Sequence, residues 1–245
     1  MPVRDTAEEV RKKLESLADP EKAVILSRFF KTGRGEYGEG DIFWGIKVPE
    51  QRRVAREFRD IPLSHIKRLL TDPVHECRLT SLMILVDKYA KAGPELREEI
   101  FSFYLSCTEF INNWDLVDLS CEKIVGRHLH STGSDRSILY RLAESESIWE
   151  QRIAVISTFR FIKNMEFEDT LKLCELLLDH RHDLIHKATG WMLRETGKRS
   201  IVTLRTFLDS HADVMPRTML RYAIEKLDEK ERRRYMDAKR AGRGE

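Results

Sequence analysis

The sequence predicts an all-α protein, and three observations carry that prediction. Helix-start signals built on Asp, Ser and Pro recur along the 245 residues. Apolar residues repeat at helical spacing, with strand-like alternation confined to the short run 42–48. Basic residues return at an interval close to the length of a helix pair.

The starts come first. Asp19-Pro20, Asp72-Pro73 and Met215-Pro216 each place Pro at the first helical position, with Asp as N-cap in the first two. Ser147 followed by Glu150 has the form of a capping box. Asp183 heads a further apolar-periodic run, and Gly93, Gly133 and Gly197 mark stops. Between these signals lie about a dozen segments of helical length joined by short connections.

The helices repeat. Trp149-Glu150-Gln151-Arg152, Leu184-Ile185-His186-Lys187 and Thr218-Met219-Leu220-Arg221 each end a four-residue opening turn on a base. The intervals Arg152 to Lys187 and Lys187 to Arg221 are 35 and 34 residues. Arg78 lies 74 residues before Arg152, close to two such periods. Paired helices at this period are the mark of an α-solenoid of HEAT type, whose concave inner face would carry one cation per repeat. The expected organisation is one HEAT-like repeat domain over residues 1–228, with 229–245 a basic C-terminal tail or helix.

Composition sets limits. Hydrophobic residues make up 41% and charged residues 34%, which suits a soluble chain with a core. The first ten residues are polar and charged, which argues against a secretory leader, and no apolar run approaches membrane-spanning length. Cys77, Cys107, Cys121 and Cys174 form no CxxC pair and sit in apolar helical stretches, so they read as buried thiols of a cytoplasmic protein. The net charge of +2 is unevenly spread: residues 181–245 hold 16 Lys plus Arg against 10 Asp plus Glu. A cationic C-terminal third suits a polyanionic partner, although a solvated basic helix over 230–243 explains part of it.

Three local patterns carry candidate chemistry. In Asn112-Asn113-Trp114-Asp115-Leu116-Val117-Asp118, Trp114 and Asp118 are one helical turn apart and project together. Val117, Cys121, Ile124 and Val125 form the apolar stripe, with Asp118 on its flank. There the carboxylate needs either a basic partner or a ligand. On the helix from Asp183, Lys187, Gly190, Trp191, Arg194 and Lys198 share one face, and Leu184, Ala188 and Met192 share a core stripe. Basic groups around an aromatic, notched by glycine, suit a nucleic-acid backbone; a solvated face with a half-buried Trp is the alternative. Arg152 lies on a helix apolar nearly all round and needs an anion, either a carboxylate or a phosphate.

These residues resemble a family. Asn113-Trp114-Asp115-Leu116-Val117-Asp118, Trp149-Glu150-Gln151-Arg152, Lys187-Ala188-Thr189-Gly190-Trp191-Met192-Leu193-Arg194-Glu195 and Met215-Pro216-Arg217-Thr218-Met219-Leu220-Arg221-Tyr222 are similar to the bacterial and archaeal DNA alkylation repair proteins, the HEAT-like-repeat DNA glycosylases of the AlkD type. Phe43-Trp44-Gly45-Ile46-Lys47-Val48-Pro49 resembles the family's early signature. The likeness covers residues 40–225 in order.

The resemblance implies excision of purines alkylated at N3 or N7 from double-stranded DNA, by a monomer with no cofactor and no metal. It implies that Trp114 and Trp191 are aromatic walls, Asp118 the catalytic carboxylate and Arg152 a phosphate contact. Lys187, Gly190, Arg194, Lys198, Arg217 and Arg221 complete the expected DNA-binding set. The chemistry suits the residue types. A cationic base leaves without a general acid, and the oxocarbenium-like sugar left behind is stabilised by a carboxylate and by indole faces. No lysine is placed as a Schiff-base nucleophile, so a monofunctional hydrolase is expected rather than a lyase. The alternatives are a HEAT-like protein that binds DNA structures without excision, or a protein-binding scaffold.

Weaker signals point elsewhere. His182 and His186 have metal-ligand spacing but no suitably placed third ligand. The glycine-rich run 33–40 lacks the ending of a phosphate-binding loop and reads as a flexible connection presenting Arg34 and Tyr37 to DNA. Trp44 and Trp149 read as packing aromatics.

Overall fold

The computed structural model describes residues 6–241, with side chains described through residue 238. The chain divides into two compact units, one ending at Ile124 and one beginning at Val125.

The first unit contains α1 (Thr6–Glu15), α2 (Pro20–Phe29), α3 (Val48–Glu57), α4 (Leu63–Leu70), α5 (His75–Lys91), α6 (Pro94–Leu105) and α7 (Trp114–Cys121), with a 3-10 turn at Thr108–Phe110. Helix α5 is its centre, packed by α1, α3, α4, α6 and α7. It is buried on nearly every side, from His75 through Leu85 and at Tyr89. Its polar first turn is therefore enclosed, and each polar group there needs a partner. Helix α2 is the opposite case: no residue in it is fully buried, and Val24, Ile25 and Phe29 are exposed.

A π-helical turn, Glu122–Gly126, carries the chain onward. The second unit contains α8 (Arg127–Thr132), α9 (Ser137–Ala143), α10 (Ile148–Ser157), α11 (Phe159–Lys163), α12 (Glu168–Leu176), α13 (Asp183–Arg199), α14 (Ile201–His211), α15 (Arg217–Ala223) and α16 (Glu229–Ala241). Helices α10, α13 and α15 pack one on the next, with α9 on α10, and α12 and α14 on α13. This is an all-α helical repeat arrangement. The sequence interval has a structural meaning, because Arg152, Lys187 and Arg221 are each the fifth residue of their helices, and Arg78 is the fourth of α5.

Several boundary signals act differently from expectation. Asp19 does cap α2, its side chain accepting from the Lys22 amide with Pro20 in the first turn. Asp72 instead accepts from the Val74 amide at 2.8 Å, so α5 starts two residues after Pro73. Pro216 is the N-cap of α15 rather than its first helical residue. Ser147 is the N-cap of α10, but its side chain makes no capping hydrogen bond. Gly93 is the N-cap of α6, while Gly133 ends α8 in the left-handed region at φ 65°. Gly197 stops nothing. It lies inside α13, where a Cβ would sit 2.4 Å from the Leu204 side chain, so glycine lets α14 approach.

Residues 42–48 form no strand; the pairing there is an isolated bridge between Ile42 and Val74. The amides of Trp44, Gly45 and Ile46, which a ladder would use, are all taken by the Glu76 carboxylate. The glycine-rich run is not a loose connection either. Gly33 and Gly35 donate to Glu36 and Glu39, Gly38 donates to the Lys31 carbonyl, and Gly38 is buried.

The basic C-terminal segment is helical as α16, and it is anchored. Tyr235 is 2% exposed within a cluster that includes Phe207, Leu208 and Ala223. Residues 242–245 of the expected tail lie outside the described residues. All four cysteines are buried. Among the described residues no helix is long and apolar enough to cross a membrane.

Candidate functional site

The first cluster is built on α7. Asn113 caps it in extended geometry, its Oδ1 accepting from the Trp114 amide at 2.8 Å. Leu116, Val117, Ser120 and Cys121 turn inward, and Ile124 and Val125 continue the buried stripe. Tyr104 of α6 pins that inner face through a 2.9 Å hydrogen bond with the Ser120 hydroxyl. Trp114 and Asp118 occupy the flank, both partly exposed and one turn apart. Asp118 is close enough to Tyr104 to help raise its hydroxyl pKa, behind the larger effects of burial and Cys121.

Trp114 is held by rings. Its indole stacks on Phe30 with centroids 5.2 Å apart and planes at 15°. Phe30 stacks on Phe43 at 4.9 Å, and Phe43 on His75 at 4.5 Å. Phe29 meets the indole edge-on at 5.9 Å. Each such pair contributes about 0.5–1.5 kcal/mol beyond its buried area, so one orientation of the indole is favoured.

Beneath the column lies a polar cluster. His75 Nδ1 is 3.2 Å from Asp41 Oδ2, and its Nε2 is 2.8 Å from Asp115 Oδ2. Arg78 donates to Asp41 and to Asn112 Oδ1, and Asn113 Nδ2 donates to Asp41 at 3.2 Å. His75 is 2% exposed and the Asp41 side chain 5%. Burial alone would lower the His75 pKa, but Asp115 and Asp41 outweigh it and raise it to about 9. Burial likewise pushes Asp41 up, yet the His75 hydrogen bond and the Arg78 charge hold it below the ordinary carboxylate value. A cavity of about 270 Å³ opens beside this cluster, walled by Phe30, Phe43, Ile46, Leu79, His75 and Asp115 among others. Sequence reading noted Arg78 only as a repeat base and overlooked Asp41, His75 and Asp115. The signal available was the polar start, His75-Glu76-Cys77-Arg78, a turn ahead of the apolar run Leu82-Met83-Ile84-Leu85-Val86 on the same helix.

The second cluster lies on α10, α13 and α15. Arg152 is 5% exposed and donates from Nη1 to the Leu184 carbonyl at 2.6 Å. That bond ties α10 to the first turn of α13, a structural duty the sequence did not foresee. On α13, Trp191 is partly exposed, 6.0 Å from the Phe159 ring, and its indole N–H donates to Glu195 at 3.2 Å. The expected cationic face is present but carries its own carboxylates. Lys187 pairs with Asp183 at 2.6 Å, Lys198 with Glu195 at 2.7 Å, and Arg194 with Glu225. The Lys187–Asp183 pair is exposed on both sides and contributes about 0–1 kcal/mol, whereas the Arg194 and Glu195 side chains of the other two pairs are only 18% and 12% exposed.

Two members of the expected binding set do other work. Gly190 is buried, and a Cβ there would stand 2.5 Å from the Met219 carbonyl and 2.6 Å from Tyr222 Cβ. The close backbone approach that Gly190 permits is that of α15, not of a ligand. Arg217 donates to the Met236 carbonyl at 2.9 Å and so holds α16. Arg221 is exposed beside Arg232 and Arg233. On the core side of α13, Ile185, Ala188, Met192 and Leu193 are fully buried while Leu184 is partly exposed. His182 is the N-cap of α13, His186 bonds the His180 carbonyl, and Trp149 is buried. Trp44 packs under the Arg11 guanidinium at 5.0 Å.

The fold and site define an all-α helical-repeat protein with a tryptophan–carboxylate pair on one capped helix and bases in register on successive others. The sequence pattern of the DNA alkylation repair enzyme family matches residues 10–227, and the chain belongs to that family. The solved structure of a predicted DNA alkylation repair enzyme from Enterococcus faecalis is similar in fold, with a TM-score of 0.69 over 86% of this chain and 97% of that one. Identity between the two is 16%. A comparison with curated proteins found no match.

Proposed function

We propose that this protein is a monofunctional DNA glycosylase that hydrolyses the N-glycosidic bond of purines carrying a cationic N3- or N7-alkyl group in duplex DNA. The observation that carries the reading is the placement of Trp114 and Asp118, partly exposed and one turn apart on a helix whose inner face is fixed in the core.

An alkylated purine already bears positive charge and departs as a neutral base, so the enzyme needs no general acid for the leaving group. Charge moves to the deoxyribose, which becomes oxocarbenium-like. Asp118 stabilises that charge and orients the attacking water, and the Trp114 indole face adds a cation–π attraction of about 0.5–2 kcal/mol. Trp191 enters this reading through the family resemblance alone. Lys187, Arg194, Lys198 and Arg221 exchange carboxylate or solvent for phosphate, which makes binding fall steeply as salt rises.

The test is release of free 3-methyladenine or 7-methylguanine from methylated duplex DNA. Wild type is expected to release base above the spontaneous rate. Asp118→Asn should lower release by about 10²-fold or more while DNA affinity stays unchanged. DNA binding by wild type without base release sinks the glycosylase reading. Undiminished release by Asp118→Asn removes that carboxylate from the mechanism.

A further inference from the structure

Five side chains outside the Trp114–Asp118 pair, those of Asp41, Arg78, Asn112, Asn113 and Asp115, converge on the first turn of α7, and His75 stands at their centre. Its two ring nitrogens face Asp41 and Asp115. Asp41 in turn receives Asn113 Nδ2 and Arg78, and Arg78 also donates to Asn112. Asn113 and Asp115 then accept from the amides of Trp114 and Leu116 at 2.8 and 2.9 Å. The same imidazole is the base of the ring column Phe43, Phe30, Trp114. Two separate routes, one through the helix cap and one through the stack, thus run from His75 to the Trp114 indole.

We propose that His75 is a positioning residue, whose doubly paired imidazolium sets the direction of the Trp114 indole and of the α7 turn that carries Asp118. The proposal rests on the reading of Trp114 and Asp118 as the reacting pair. Only the imidazolium can donate to both carboxylates; a neutral ring keeps one donor and turns a lone pair toward the other oxygen. The charged groups facing the ring are Asp41 from the segment between α2 and α3, Asp115 from α7 and Arg78 from its own helix, while the neighbouring Glu76 carboxylate is taken up by the amides of Trp44, Gly45 and Ile46. Lys22 and Lys47 line the adjoining cavity. Since the two carboxylates raise the His75 pKa to about 9, the clamp is intact at neutral pH and is lost as pH rises through that value.

The experiment labels the four tryptophans of the full chain with 5-fluorotryptophan and assigns the fluorine resonances with single Trp→Phe variants. In wild type the Trp114 resonance should shift between pH 7 and 10 with a midpoint near 9, and those of Trp149 and Trp191 should not. His75→Gln should move the Trp114 resonance and abolish that titration. On methylated DNA, kcat of His75→Gln should fall between about tenfold and a hundredfold at unchanged KM, and the alkaline limb of the wild-type profile should vanish. A Trp114 resonance that does not move with pH in wild type overturns the proposal, as does full kcat in His75→Gln. If His75→Gln does not fold, the wild-type titration decides alone. Absence of base release by wild type overturns the glycosylase reading, while the fluorine measurement still decides whether His75 orients Trp114.

Discussion

Gly190→Ala separates a packing glycine from a ligand-contacting one. The added methyl would lie 2.5 Å from the Met219 carbonyl oxygen, 2.6 Å from Tyr222 Cβ and 3.1 Å from Met219 Cα. Two of these are backbone atoms of α15, which cannot swing aside as the tip of a long side chain can. Helices α13 and α15 must therefore part, and overpacking of this kind costs about 1–3 kcal/mol. The better helix propensity of Ala returns up to about 1 kcal/mol. The balance is a destabilisation of about 1–2 kcal/mol, lowering the melting temperature of the second unit by roughly 2–8 °C. Calorimetry of wild type, Gly190→Ala and Gly93→Ala reads it directly. Gly93 is the control, because a Cβ there meets nothing within 4 Å. If Gly190→Ala melts with wild type and instead loses affinity for DNA, the packing argument is wrong and Gly190 touches the ligand.

Two further substitutions probe the rest of the frame. Glu76→Ala strands the buried amides of Trp44, Gly45 and Ile46, and should destabilise the first unit by about 3–5 kcal/mol in urea unfolding; a change under about 1 kcal/mol means those amides find other partners. Tyr235→Ala removes a buried ring and its hydrogen bond to Asp209, and should cost about 3–5 kcal/mol and expose the α16 amides to fast hydrogen exchange. Unchanged α16 protection would show that the Arg217 bond to Met236 suffices to dock it.

The ion pairs on α13 change what its basic residues offer a polyanion. A bare cationic helix attracts any polyanion, whereas one in which Asp183, Glu195 and Glu225 already occupy the cations requires exchange. Arg152 illustrates the same point from the interior. Its exposure of 5% and its bond to the Leu184 carbonyl make its removal a structural perturbation as well as an electrostatic one.

Local rules read from the chain alone determined much of this protein. Helical periodicity, the Asp19-Pro20 start and the interval between Arg152, Lys187 and Arg221 translate directly into helices whose fifth residues match, because each depends on neighbours within one or two turns. The pairing of Trp114 with Asp118 is legible for the same reason, being an i, i+4 relation on one helix. What only the tertiary structure decided involves partners distant in sequence. Asp41 meets His75 across 34 residues, and His75 meets Asp115 across 40. Gly190 faces α15 and Gly197 faces α14, roles invisible in the helices that contain them. Glu76, in the polar first turn of α5, takes the amides of Trp44, Gly45 and Ile46, so the strand-like alternation of 42–48 builds no strand. A buried polar group must be satisfied by whatever the fold brings near it, and the sequence does not say what that will be.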